Sequence, residues 1–203
     1  ISIYLGVTPD NLDRMAPLLN LLFQQVIDLN TRQLPEQNPK LNRKVLLMLD
    51  EFPALGNVNV LAKSVAFIAG YGIRLLTVVQ SPAQLRAIYG LDAARNFMTN
   101  HAVEVVFAPK EQDVANELSE RIGYDTVKAR SRSGPKGLAM RSTSETISEH
   151  RRALMLPQEL KLLPKSKAFI LGTGIPPIIA DKIVYYEDKA FLTRLLPAPV
   201  PEM

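Results

Sequence analysis

The chain has 203 residues, 47% of them hydrophobic, which suffices for a sizeable buried core and excludes an intrinsically disordered polymer. It contains no cysteine and two histidines, His101 and His150, so disulfides, thiolate metal sites and cysteine nucleophiles are excluded, and a serine triad or a histidine-rich metal centre is disfavoured. The net charge is +4, and no stretch approaches the roughly 18 uninterrupted apolar residues of a membrane span.

The chain opens on Ile1 to Val7, an apolar run that reads as a strand, with neither an initiator methionine nor the features of a secretory signal. Such a start points to a piece of something longer. Thr8-Pro9-Asp10 then carries a cap, a first-turn proline and an acid suited to a helix N-terminus. In the helix that follows, Leu12, Met15, Ala16, Leu19, Leu22, Phe23 and Val26 recur at three-and-four spacing, and Leu18, Leu21 and Leu29 widen the apolar stripe. Residues 31–43, with Pro35 and Pro39, show no periodicity and read as an exposed connection.

Val45-Leu46-Leu47-Met48-Leu49 is a strand signal without alternation, as expected of a strand buried on both faces, and it ends abruptly in Asp50 and Glu51. A turn through Phe52-Pro53-Ala54-Leu55-Gly56 leads to a predicted helix from Val58 to Ala69, stopped by Gly70 and Gly72. A second buried strand, Ile73 to Val79, ends in Gln80, after which Ser81-Pro82 starts a helix reaching about Tyr89. A helix near Leu91 to Met98, a strand from Ala102 to Phe107 and a helix from Glu111 to Ile122 follow. This alternation predicts an α/β fold with a mostly parallel sheet flanked by helices.

From Tyr124 to Thr146 the character changes. Between Asp125 and Glu145 there is no acid, while Lys128, Arg130, Arg132, Lys136 and Arg141 supply five positive charges; taking these five from the net +4 leaves −1 for the rest. The segment is either a solvated hairpin or loop around Ser133 to Gly137, or a basic arm that meets nucleic acid. Beyond it, Arg151 to Leu156 reads as a short strand, Pro157 opens a helix, and Lys167 to Gly172 and Ile178 to Tyr185 read as two more strands. Residues 1–196 form the body of the protein and the proline-rich 197–203 a tail.

Asp50 and Glu51 alone could merely end a buried strand, and Gln80 alone could be a solvent-facing helix-entry residue. Ligands of open parallel sheets sit outside the carboxyl ends of the strands, where all three would converge. In a nucleotide hydrolase Asp50 would hold Mg2+, Glu51 would orient the attacking water as base, and the Gln80 amide would bond the γ-phosphate or that water.

The segments Val45 to Gly56 (VLLMLDEFPALG), Val78 to Leu85 (VVQSPAQL) with Tyr89-Gly90, and Arg151 to Leu160 (RRALMLPQEL) resemble, in order and over nearly the whole chain, the TraG/TraD-type coupling proteins of conjugative type IV secretion. The resemblance implies a RecA-like P-loop ATPase motor domain using ATP and Mg2+, hexameric, and part of a bacterial inner-membrane protein whose cytoplasmic portion connects a relaxase–DNA substrate to the secretion channel. It also implies an arginine supplied across a subunit interface, with Arg151 and Arg152 as candidates and Arg74, Arg86 and Arg95 behind them; surface ion pairing is the alternative for each.

One departure bears on activity. No glycine is followed by lysine, so the Gly-Lys-Ser/Thr that cradles phosphates is missing, and the fold is expected to be incomplete, the C-terminal part of the motor domain. The chain by itself is then expected to be inactive and to make no membrane contact. Two rival readings remain open: a non-catalytic module that binds DNA or a secretion substrate through residues 128–141, and a scaffold that only assembles a ring.

Overall fold

The computed structural model describes residues 3–38, 40–41, 43–133 and 144–197. The chain divides into two compact units, Ile1–Ala102 and Val103–Met203.

The first unit is built on two parallel strands, β1 (Val45–Leu49) and β2 (Ile73–Thr77), in the register Val45 with Ile73 through Leu49 with Thr77. Helices α1 (Leu12–Asn30), α2 (Asn59–Ser64), α3 (Pro82–Tyr89) and α4 (Leu91–Thr99) complete it. Leu19, Phe23 and Ile27 repeat every fourth residue on α1, and they pack with Leu49, Phe52, Val58, Leu61 and Ile73 into one core. Leu18, Leu21 and Leu29, read from sequence as part of the buried stripe, are exposed because they lie off this ridge. Thr8 does not cap the helix with its side chain; its Oγ1 instead accepts from the Asn11 amide at 3.0 Å.

Two sequence expectations change here. Residues 3–7 form no strand among the described residues, since a strand exists only when another edge completes its hydrogen bonds. The β1–β2 pair is covered on one face only: Val45, Leu47, Leu49, Ile73 and Leu75 meet the core. On the opposite face Leu46 and Met48 are 59% and 64% exposed, with Leu76 and Val78 both at 45%.

In the second unit β3 (Val103–Val106), β6 (Lys167–Gly172) and β7 (Ile175–Asp181) form an antiparallel sheet in the order β3-β6-β7. The parallel pairing inferred from strand–helix alternation is therefore confined to β1 and β2 among the described residues, and β3 takes β6 as its partner in the opposite direction. The last strand begins earlier than its hydrophobicity suggests, because the Thr173–Gly174 turn, with Gly174 at φ 77°, brings Ile175 directly opposite Gly172. Helices α5 (Gln112–Ile122) and α6 (Pro157–Lys161) supply Leu118, Ile122 and Leu160 to a core shared with Phe169 and Leu171, and α7 (Lys189–Leu192) follows.

The basic region is a hairpin whose arms are β4 (Tyr124–Ser133) and β5 (Ser144–Ala153). Lys136 and Arg141 lie outside the described residues.

Candidate functional site

The two strands of the first unit leave the sheet side by side. Beyond the ladder the Val78 N–H donates to the Leu49 carbonyl at 2.9 Å and the Phe52 N–H donates to the Val78 carbonyl at 3.1 Å. These bonds tie the chain on either side of Asp50 and Glu51 to Val78, just before Gln80. Glu51 has φ 50° and ψ 44°, alone among the described non-glycine residues in the left-handed region. That conformation costs a residue with a Cβ roughly 1–2 kcal/mol and turns the chain sharply at the sheet edge. Its reward is structural, since the turn drops Phe52, 0% exposed, straight into the core while Glu51 stays in solvent.

Gln80 is set by the start of α3. The Ser81 Oγ accepts from the Ala83 N–H at 3.1 Å, and the Gln84 Oε1 accepts from the Gln80 N–H at 3.1 Å, so the cap reaches back to Gln80 itself. From this position the Gln80 Nε2 donates to both Glu51 carboxylate oxygens, each at 3.1 Å. Residues 29 apart in sequence thus meet at the carboxyl edge of the parallel pair.

Asp50 is exposed at the same edge. Among the described residues no three His, Asp or Glu side chains are grouped to hold a metal ion. An oxygen-ligated Mg2+ held by one carboxylate, with its remaining ligands from phosphate and water, fits Asp50, because Mg2+ is commonly bound in that way. The phosphate cradle itself has no residues to form it here, the sequence having no Gly-Lys pair.

Sequence reasoning missed the support behind this edge. Tyr89, the last residue of α3, places its hydroxyl 3.0 Å from the Val58 N–H, which donates to it, and 3.2 Å from the Gly56 carbonyl, to which it donates. Its ring stacks parallel to Phe52 and Phe97. Burial pushes the phenol above its ordinary pKa, partly opposed by the Val58 N–H. The available signal was the Tyr89-Gly90 helix end lying one helix beyond Gln80. His101 follows α4 and is half-buried, with Nδ1 2.8 Å from the Phe97 carbonyl and Nε2 3.2 Å from the Thr77 hydroxyl, a structural clamp on β2.

The remaining candidates divide between the units. Arg74 donates to the Ala69 carbonyl at 2.8 Å near the amino end of β2, about 20 Å of extended strand away from Gln80. Arg151 and Arg152 belong to β5 in the second unit. The Arg151 guanidinium lies 3.8 Å over the Tyr124 ring, and Arg152 is 3.9 Å from Glu159, which also accepts from the Leu156 N–H at 2.7 Å. Lys128, Arg130 and Arg132 occupy alternate positions of β4. The register sets Lys128 opposite Glu149, Arg130 opposite Ile147 and Arg132 opposite Glu145, and the Lys128 Nζ lies 3.8 Å from the Glu149 carboxylate.

Parallel strands with flanking helices and an acid pair at their carboxyl edge make the first unit α/β, and it is the comparison of structures that gives the chain a RecA-like fold. The coupling protein TrwB in an unbound form matches with a TM-score of 0.59 over 83% of this chain and 39% of that one, at 19% identity. TrwB in complex with ADP and Mg2+ matches with a TM-score of 0.57, over 83% and 38%, again at 19% identity. In sequence the chain is 35% identical to protein VirD4 of Rhizobium radiobacter over 99% of its own length and 30% of that protein's. It is 28% identical to conjugal transfer protein TraG of Escherichia coli over 98% of its length and 34% of the relative's. Residues 1–200 match the family described as type IV secretory system conjugative DNA transfer. The chain belongs to that family. It spans about a third of the length of these relatives, and among the described residues no helix is long and apolar enough to cross a membrane.

Proposed function

We propose that residues 1–196 are the C-terminal part of the motor domain of a conjugative coupling protein, with 197–203 a tail, and that they carry the hydrolytic half of its ATP site. The contact of Gln80 with both oxygens of Glu51 at the sheet's carboxyl edge is the observation that carries this reading. Glu51 orients and deprotonates the attacking water, Asp50 holds Mg2+, and Gln80 bonds either the carboxylate or the γ-phosphate. Mg2+, when bound, neutralises charge on the phosphate oxygens. The TrwB structures with ADP and Mg2+ and with the ATP analogue ADPNP support nucleotide and metal as ligands.

In this reading the whole protein is a hexamer, the residues described here face the cytoplasm of a bacterium, and a membrane anchor lies elsewhere in the protein. Its cargo is relaxase-bound DNA, delivered to a type IV secretion channel. The full-length protein bearing Glu51→Gln should bind ATP as the wild type does and lose turnover by at least 100-fold, the scale expected when a positioned base is removed. Undiminished phosphate release would remove Glu51 from this role.

A second reading draws on the β4–β5 hairpin, whose Lys128, Arg130 and Arg132 offer charge to a phosphate backbone, with Lys136 and Arg141 in the same stretch of sequence. It assigns DNA contact to the hairpin and leaves the hydrolytic assignment unchanged.

A further inference from the structure

The two sides of the site are joined by α3. Its first turn anchors Gln80 through Ser81 and Gln84, and its last residue grips the turn that follows Glu51. An eight-residue helix is a strut of about 12 Å with little freedom to bend. The Tyr89 ring is 6.0 Å from Phe52 at an interplanar angle of 13° and 6.4 Å from Phe97 at 3°, which a phenylalanine would reproduce. The hydroxyl is not needed for that packing. It instead accepts from Val58 and donates to Gly56, the two ends of one short backbone segment, and so fixes the turn both along and across its path.

We infer that Tyr89 is a positioning residue for hydrolysis: through the Gly56–Val58 backbone and the Phe52 stack it locks the left-handed Glu51 at a set distance from Gln80, at the other end of α3. The inference rests on the reading of Glu51 as the base. Glu51 is exposed and receives hydrogen bonds from Gln80, so the placement of its carboxylate depends on the backbone that carries it. Loosening that backbone misplaces the carboxylate relative to water without touching nucleotide contacts.

The test uses the full-length protein with three substitutions measured side by side. Tyr89→Phe keeps the ring and removes both hydrogen bonds; kcat should fall on the order of tenfold, with the KM for ATP within about twofold of wild type. Ile27→Val, in the α1 core, is the control for lost stability and should keep wild-type kcat at a comparable fall in melting temperature. If Tyr89→Phe retains wild-type kcat, loses activity only in proportion to stability as Ile27→Val does, or fails to fold, the hydroxyl is structural and the inference is overturned. Glu51→Gln separates the two layers. If it abolishes turnover while Tyr89→Phe is normal, the positioning role alone falls; if it leaves turnover intact, the base assignment falls and this inference with it.

Discussion

The Gln80 side-chain amide lies 3.1 Å from each carboxylate oxygen of Glu51 and donates to both. Both residues are exposed, so water competes for the contact and the pair separates at small cost. An amide so placed can pass from the carboxylate to a phosphate oxygen as a nucleotide enters. Gln80→Glu would instead remove the amide donor and place a like charge beside Glu51, and the two exposed carboxylates would turn away from each other, drawing Glu51 out of position. Phosphate release by the full-length variant should fall at least tenfold at neutral pH. Gln80→Ala should retain more activity than Gln80→Glu, and the opposite order would show that the carboxylate tolerates a like charge.

Glu51, the proposed base, sits on a backbone conformation that disfavours a residue with a Cβ. At φ 50° a glycine is unstrained, so Glu51→Gly should be more stable than Glu51→Ala by about 1 kcal/mol while both lack turnover. Denaturant unfolding of the paired variants checks this. Equal stability would mean that the turn relaxes when the carboxylate is removed.

The acid pair and the glutamine stood out in the sequence because Asp50, Glu51 and Gln80 end long apolar runs of the kind parallel strands carry. Their contact was not legible, since it depends on the strand register and on the left-handed turn, and neither leaves a period in the sequence. The same apolar runs misled elsewhere. Leu46 and Met48 read as doubly buried, yet burial on the second face requires a covering layer that the strand's own residues do not encode. The basic segment was visible as charge; the pairing of Lys128 with Glu149 was not, because the two come opposite each other only once the hairpin closes.

Tyr89 makes stability pH-dependent on the alkaline side. Burial raises its pKa in the folded state above the ordinary 10.0, so between those two values the folded protein holds a proton that the unfolded chain has lost. Its contribution is fully present below pH 10 and is lost progressively as pH rises through the folded-state value. Thermal unfolding above pH 10 should therefore steepen in the wild type relative to Tyr89→Phe. Parallel curves would assign the alkaline loss to other groups.

The two arginines on β5 differ in how firmly they are held. Arg151 stacks on Tyr124, whereas Arg152 has a 3.9 Å pair with Glu159 in which both side chains are well exposed and the attraction is weak. Arg152 is therefore the better candidate to reach a neighbouring subunit's nucleotide. In the full-length protein Arg152→Ala should lower turnover by 100-fold or more, and mixing it with Glu51→Gln subunits should recover a measurable fraction. Recovery arises because some mixed interfaces bring an intact base and an intact arginine together. Equal loss with no recovery on mixing would place the arginine in the same subunit as its site.

On the hairpin, the register predicts that the basic residues are unequal. Lys128 lies 3.8 Å from Glu149, so part of its field is cancelled before any phosphate approaches, while the position opposite Arg130 is Ile147. Arg130→Glu should therefore weaken DNA binding by the full-length protein more than Lys128→Glu does. Reversing Arg130 and Arg132 together should reduce the slope of log affinity against log salt by about 2, because each lost phosphate contact removes roughly 0.9 from it. Fluorescence anisotropy with a duplex across a salt series measures both quantities. An unchanged slope would make the hairpin a surface ribbon whose charges never meet the phosphate backbone, and equal effects at 128 and 130 would mean that the Glu149 pair opens when DNA binds.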